Sequence, residues 1–241
     1  MKAIQHLLVV ALIAASTASF AQTRVSQEQE TPTSCTVRPN KSADHIMSDF
    51  SLYVGFNNFG GSLPTGYDFS TIGSRFVALA WQKRIPLAVN GPTKLRLITG
   101  PEVAWNNFMF ERSGGSIRNT LKAQNNQLVI ESSGVALRKS KLVTTQLNLP
   151  VILNLSFKSG LTLGLGAYAG VRLDSYTKVK PETGSAVRTH GSFYLNTVRW
   201  GLTTELGFRG HANFFARYEP QSQFRAGQGP DASVWAVGIK L

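Results

Sequence analysis

The chain has 241 residues, 42% of them hydrophobic and 16% charged, with 22 glycines and a formal net charge of +12. That length supports one domain with a sizeable core. No window after the N-terminus supplies the roughly 18 consecutive apolar residues of a spanning helix, so a helical membrane protein is excluded while a soluble sandwich and a membrane barrel both remain.

The N-terminus points to export. Met1-Lys2 is basic, Leu7 to Ala15 (LLVVALIAA) is an apolar core too short to span, and Ser19-Phe20-Ala21 places small residues before a cleavage point ahead of Gln22. Residues 1–21 are therefore expected to be a cleaved signal peptide. Residues 22–48 lack apolar periodicity and are rich in Ser, Thr, Gln and Glu, as expected of a flexible periplasmic lead-in. Cys35 is the single cysteine, so no intramolecular disulfide can form, and its distance from the apolar core argues against a lipid anchor. For an exported chain with pI near 10.1, the anionic partners expected are membrane lipid and lipopolysaccharide phosphates, and no nucleic acid.

From 49 to 241 the sequence alternates with period two, as side chains do on the two faces of a strand. The first run puts Leu52, Val54 and Phe56 opposite Tyr53, Gly55 and Asn57; the second, near 75–85, puts Val77, Leu79, Trp81 and Ile85 opposite Ala78, Ala80, Gln82 and Arg84. The third, near 94–110, contains Pro101, and its Phe108 and Phe110 fall opposite Val103 and Trp105, which suggests a bulge. The fourth, near 141–157, is the cleanest: Val143, Leu147, Leu149, Val151, Leu153 and Leu155 oppose Thr144, Gln146, Asn148, Asn154 and Ser156, although Pro150 interrupts it. The fifth, near 161–177, sets Leu161 to Leu173 against glycines, Tyr168, Arg172 and Asp174. The sixth, seventh and eighth, near 198–208, 212–220 and 235–241, continue the rhythm.

The connections sort by parity. Gly60–Ser74, Glu111–Ser140, Lys178–Gly191 and Gln221–Ser233 are long and polar, whereas Pro86–Thr93, Lys158–Gly160 and Arg209–His211 are short and carry Gly, Pro or other turn residues. A sandwich has no reason to keep its long loops on one side. The expectation is an all-β, eight-stranded antiparallel up-and-down transmembrane β-barrel of outer-membrane type, with long loops outside and tight turns in the periplasm.

Hydrocarbon then dictates the faces. A sheet in lipid must close and turn its apolar face outward. The charged members of the runs are thereby expected inside, as a lumenal ionic cluster of Arg84, Arg96, Glu102, Arg172, Asp174, Arg199, Glu205, Arg217, Glu219 and Lys240. Eight strands leave an interior that side chains just fill, which argues against a general diffusion pore. Outward aromatics such as Trp81, Trp105, Tyr194, Trp200 and Trp235 suit interfacial girdles. Arg112, Arg118, Lys122, Arg138, Lys139 and Lys141 make a basic outer loop.

Trp105-Asn106-Asn107-Phe108-Met109-Phe110, the run Leu147-Asn148-Leu149-Pro150-Val151-Ile152-Leu153, Gly170 to Lys178, Tyr218 with Phe224, and Gly227-Gln228-Gly229-Pro230 resemble the PorT-like outer-membrane β-barrel family over roughly residues 50–241. The resemblance implies an outer-membrane barrel whose namesake is linked to protein secretion, and it transfers no catalytic residue. The chain ends in Leu241 where many such barrels end in an aromatic, yet Trp235, Val237, Ile239 and Leu241 still suit the barrel-assembly machinery.

Three function classes follow. The first is a non-enzymatic envelope barrel acting structurally, in adhesion or as a secretion accessory through its outer loops, with no cofactor. The second is a narrow channel or transporter. The third is a lipid A acyl hydrolase built on His190, Ser192 and Glu205, against which parity counts because Glu205 faces in.

Overall fold

The computed structural model describes residues 45–241, except residues 62, 90 and 209–212. The expected signal peptide, residues 22–44 of the expected lead-in with Cys35, and the expected turn at 209–211 lie outside the described residues. Eleven strands are present among the described residues: β1 Met47–Gly60, β2 Arg75–Ala88, β3 Thr93–Thr99, β4 Glu102–Met109, β5 Ile117–Gln124, β6 Gln127–Phe157, β7 Leu161–Pro181, β8 Val187–His190, β9 Val198–Phe208, β10 Asn213–Glu219 and β11 Ser233–Lys240.

Eight staves close a ring. Antiparallel pairing runs from β1 to β2, through β3 and β4 as one interrupted stave, to β6, β7, β9, β10 and β11, and β11 pairs back onto β1 from Tyr53↔Lys240 to Gly60↔Ser233. Closure leaves no unpaired edge within the ring, the condition a sheet must meet in hydrocarbon. The period-two sequence produces the faces directly. In β9 every second residue from Arg199 to Gly207 is buried, while Val198, Trp200, Leu202 and Leu206 stay exposed. An outward belt of exposed aliphatics, with Leu165 at 67%, surrounds the ring.

The third stave corrects one expectation. Thr99↔Val151 and Glu102↔Asn148 keep one register across the break, so Pro101 introduces no bulge. The Trp81 amide donates to the Pro101 carbonyl at 2.9 Å, and Gly100, at φ 145°, accommodates the local turn of the backbone. Phe108 and Phe110 are thus inward by ordinary alternation and are buried. Aromatics that looked like a register slip are part of the interior.

Two of the long connections are also not loops. β5 pairs with the first part of β6 around a tight turn at Asn125-Asn126, both with positive φ (49° and 61°), as a two-residue hairpin requires. The end of β7 pairs with β8, from Tyr176↔His190 to Val179↔Val187. The sheet continues past the ring because Ile117, Leu121, Leu128 and Leu137 bury an apolar face there.

β7 carries a bulge. Thr145 pairs with Asp174 but Gln146 pairs with Arg172, leaving Leu173 as the extra residue. Every side chain beyond it changes face.

Candidate functional site

The ring interior is filled in two layers. At the long-connection end, Phe59 and Phe108 stack at 4.1 Å, Phe69 and Phe110 at 4.5 Å, and Phe224 packs 5.9 Å from Phe59. Leu142, Phe193, Leu195 and Val234 complete this apolar cap, in which residues of the connections sit over inward strand residues. Asn58 holds the first connection by donating to the Phe69 carbonyl at 2.9 Å, and Asn196 holds the last by donating to the Ser222 and Phe224 carbonyls.

Below the cap lies an ionic layer. The Arg217 guanidinium donates to both Glu102 oxygens at 2.6 and 2.7 Å, and it lies over the rings of Tyr53, Phe76, Tyr168 and Phe215 at 4.8 to 5.7 Å. Arg199 donates to Glu219, whose other oxygen accepts from the Tyr168 hydroxyl at 2.9 Å. Lys240 donates to Glu205 at 2.7 Å, and Glu205 also accepts from Tyr53, which in turn accepts from Gln82. Asn148 donates to Glu102 at 3.0 Å. Three cations therefore meet three carboxylates, all six buried. Sharing of this kind is what makes ionised groups tolerable away from water.

Six of the ten residues expected in the lumen are in that layer: Glu102, Arg199, Glu205, Arg217, Glu219 and Lys240. Arg84 and Arg96 are elsewhere, at the short-turn mouth. Arg84 pairs with Asp49 at 2.7 Å, and both arginines line a cavity of about 140 Å³ with Glu205 and Lys240 at its floor. Arg172 lies beneath the cap, where it donates to the Ser175 hydroxyl at 2.9 Å and toward the Leu195 and Asn196 carbonyls. Asp174 is a correction. The bulge at Leu173 turns it onto the outer face, where it contacts His190 Nδ1 at 3.3 Å.

The tyrosines and amides of the layer were missed as functional partners, although Tyr53, Gln82, Asn148 and Tyr168 all stood on the inward parity. Asp49 was missed because it lies on β1 ahead of the first alternating run, where no parity pointed to it. Tyr194, expected outward, packs against the cap instead, with φ at 53°. The acyl-hydrolase constellation does not assemble: Glu205 is sealed with Lys240 and Tyr53, whereas His190 lies outside the ring on β8.

The basic outer residues divide as well. Arg112 is exposed in the β4–β5 connection, Arg118 and Lys122 are exposed on β5, and Lys122 pairs with Glu131. Arg138 and Lys139 are exposed on β6, and half-buried Lys141 donates to Asn107 at 2.8 Å. The register adds three cations that were not anticipated. Lys139 stands opposite Lys180, Lys141 opposite Lys178, and Lys178 opposite Arg188. Burial, and then the charges of Lys178, Lys139 and Arg188, hold the Lys141 ammonium below the usual lysine range.

No curated protein matches the sequence. Among solved structures the chain is similar to the crystal structure of Ail, the attachment invasion locus protein of Yersinia pestis, in complex with the heparin analogue sucrose octasulfate. The identity is 12%, 80% of this chain and 97% of that chain are covered, and the TM-score is 0.35. The family model for the outer membrane protein beta-barrel domain matches residues 20–220. With a closed antiparallel ring of eight staves, an outward aliphatic belt and a match over most of its length, the chain belongs to the outer membrane protein beta-barrel domain family.

Proposed function

We propose that this outer-membrane barrel is non-enzymatic and acts through its outer hairpins, in envelope structure, in adhesion or as an accessory to secretion. The observation that carries the reading is an asymmetry: the lumen is closed twice, by the apolar cap and the ionic layer, while β6 and β7 rise beyond the ring as paired, ordered hairpins. A molecule that blocks its interior and extends its outer face offers a surface. The resemblance to PorT-like barrels supports the secretion-accessory form of this reading. The surrounding lipopolysaccharide and the barrel-assembly machinery, the latter through Trp235, Val237, Ile239 and Leu241, are its proposed partners.

Trimming the β5–β6 hairpin tests the reading. Residues 120–131 are removed and Asn119 is joined to Ser132 through an Asn-Gly turn. The ring does not use these residues, so the variant still assembles as a heat-modifiable band in cells lacking the native gene. Its surface-dependent phenotypes, scored as cell adhesion, detergent resistance and amount of secreted protein, fall to those of the deletion strain in at least one assay. Full complementation in all three would refute a role for this hairpin. The mouth cavity at Arg84 and Arg96 favours the second reading, a narrow polar path, which conductance measurements address.

A further inference from the structure

Like charges directly opposite one another on a sheet destabilise it, and β6, β7 and β8 place three such pairs side by side. Lys139, Lys141, Lys178, Lys180 and Arg188 all project from the outer face, because β6 keeps its parity while the Leu173 bulge resets that of β7. Among the described residues none of the five is in an ion pair. The one carboxylate on the same face of β7, Asp174, is engaged by His190.

The height of this ladder identifies its occupant. On β6 the exposed run Leu155, Leu153, Val151, Leu149 and Leu147 marks the hydrocarbon, and past Thr145 and covered Val143 the next outward residues are Lys141 and Lys139. On β7 the exposed run ends at Val171 and Leu173, and Lys178 and Lys180 follow Tyr176. Arg188 lies 5.6 Å over the Tyr176 ring, an amphipathic aromatic of the kind that marks a headgroup boundary. The cations thus begin where hydrocarbon ends, on the outer side, at the level of lipid headgroups. A free solute has no reason to be read at that depth.

We propose that Lys139, Lys141, Lys178, Lys180 and Arg188 form a binding site for the phosphate groups of a phosphorylated glycolipid of the outer leaflet. Ammonium groups supply point charges and Arg188 a planar fork, which together suit phosphate oxygens. This site rests on the reading of the chain as a barrel that works through its outer face, and it gives that face a ligand.

Native mass spectrometry of the full chain in detergent tests it, with bis-phosphorylated lipid A, lipid A stripped of phosphate, and phosphatidylglycerol as probes. Wild-type protein retains bis-phosphorylated lipid A, and binds the stripped form and phosphatidylglycerol at least tenfold more weakly. The variant K139Q/K178Q/K180Q/R188Q binds lipid A at least tenfold more weakly while keeping its heat-modifiable mobility. R112Q/R118Q, which removes two cations outside the ladder, stays within twofold of wild type. Equal binding of stripped lipid A or of phosphatidylglycerol, an unaffected ladder variant, or an equal loss in R112Q/R118Q would each overturn the site. If the ladder variant loses its fold, K178Q alone is measured, and binding within twofold of wild type overturns the site in the same way. The hairpin trimmed in the functional test lies outside the ladder, so either idea can fail with the other intact.

Discussion

Arg217 shows how one residue organises the interior. It is buried, bidentate to Glu102 and enclosed by four aromatic rings, so its charge is matched in direction as well as in number. Removing one partner of a buried pair strands the other, at a cost of about 3–5 kcal/mol, whereas removing both is often close to neutral. Arg217→Leu is therefore expected to destabilise the barrel by about that amount, and Glu102→Leu in the same chain to recover more than half of it. Guanidinium unfolding from lipid vesicles, followed by tryptophan fluorescence, measures both. A double variant no more stable than Arg217→Leu would mean that Glu102 is satisfied without the guanidinium. The small residues around the layer are part of the same fit. A Cβ at Gly201 would stand 2.8 Å from the Tyr168 hydroxyl that holds Glu219, and one at Gly170 would strike the Asn148 side chain.

At the scale of the element, what could be read from the sequence was whatever alternation alone decides. The staves, their order and the inward parity of Glu102, Arg199, Glu205, Arg217, Glu219 and Lys240 follow from period two, because one buried face forces the register. What alternation cannot report is a single extra residue, and the Leu173 bulge placed Asp174 on the wrong side. Nor can it tell an inward aromatic near a stave's end from a slip, since Phe108 and Phe110 belong to a cap built by distant connections. The hairpins over 117–137 and 178–190 were hidden for a related reason: their polar faces dominate their composition, and the few residues that bury, such as Leu121 and Leu128, are too sparse to outweigh it. Deleting Leu173 tests the bulge. Without the extra residue, Asp174 follows Arg172 in unbroken alternation and still stands opposite Thr145, so Lys178 and Lys180 stay outward and Ser175 and Thr177 inward. A cysteine at position 178, in a chain whose Cys35 is serine, is expected to react with a membrane-impermeant maleimide in intact cells, one at position 177 to stay unreactive, and both results to survive deletion of Leu173. Labelling that moves from position 178 to position 177 on deletion would show that Leu173 is not the extra residue.

For the whole molecule the two closures stand in series, and that arrangement favours the proposed envelope barrel over a channel. The cap is apolar and made of connections; the ionic layer is polar and made of staves, so a change in one leaves the other in place. From the short-turn side the mouth cavity at Arg84 and Arg96 ends on Glu205 and Lys240, which are joined to each other. The purified barrel in planar bilayers is accordingly expected to pass no steady current. Phe59→Ala with Phe224→Ala opens the cap from its loop side, and the bilayer should remain silent because the three ion pairs still fill the section below. Current should appear only when the layer is thinned as well, for example by adding Glu102→Ala with Arg217→Ala, which removes a cation and a carboxylate together and leaves no stranded charge. Heat-modifiable mobility verifies that each variant is a folded barrel before its current is scored. Steady conductance by the unaltered protein, sensitive to Glu205→Gln, would reverse the assignment, because it would require that the Glu205–Lys240 pair open during function and that the lumen be a path.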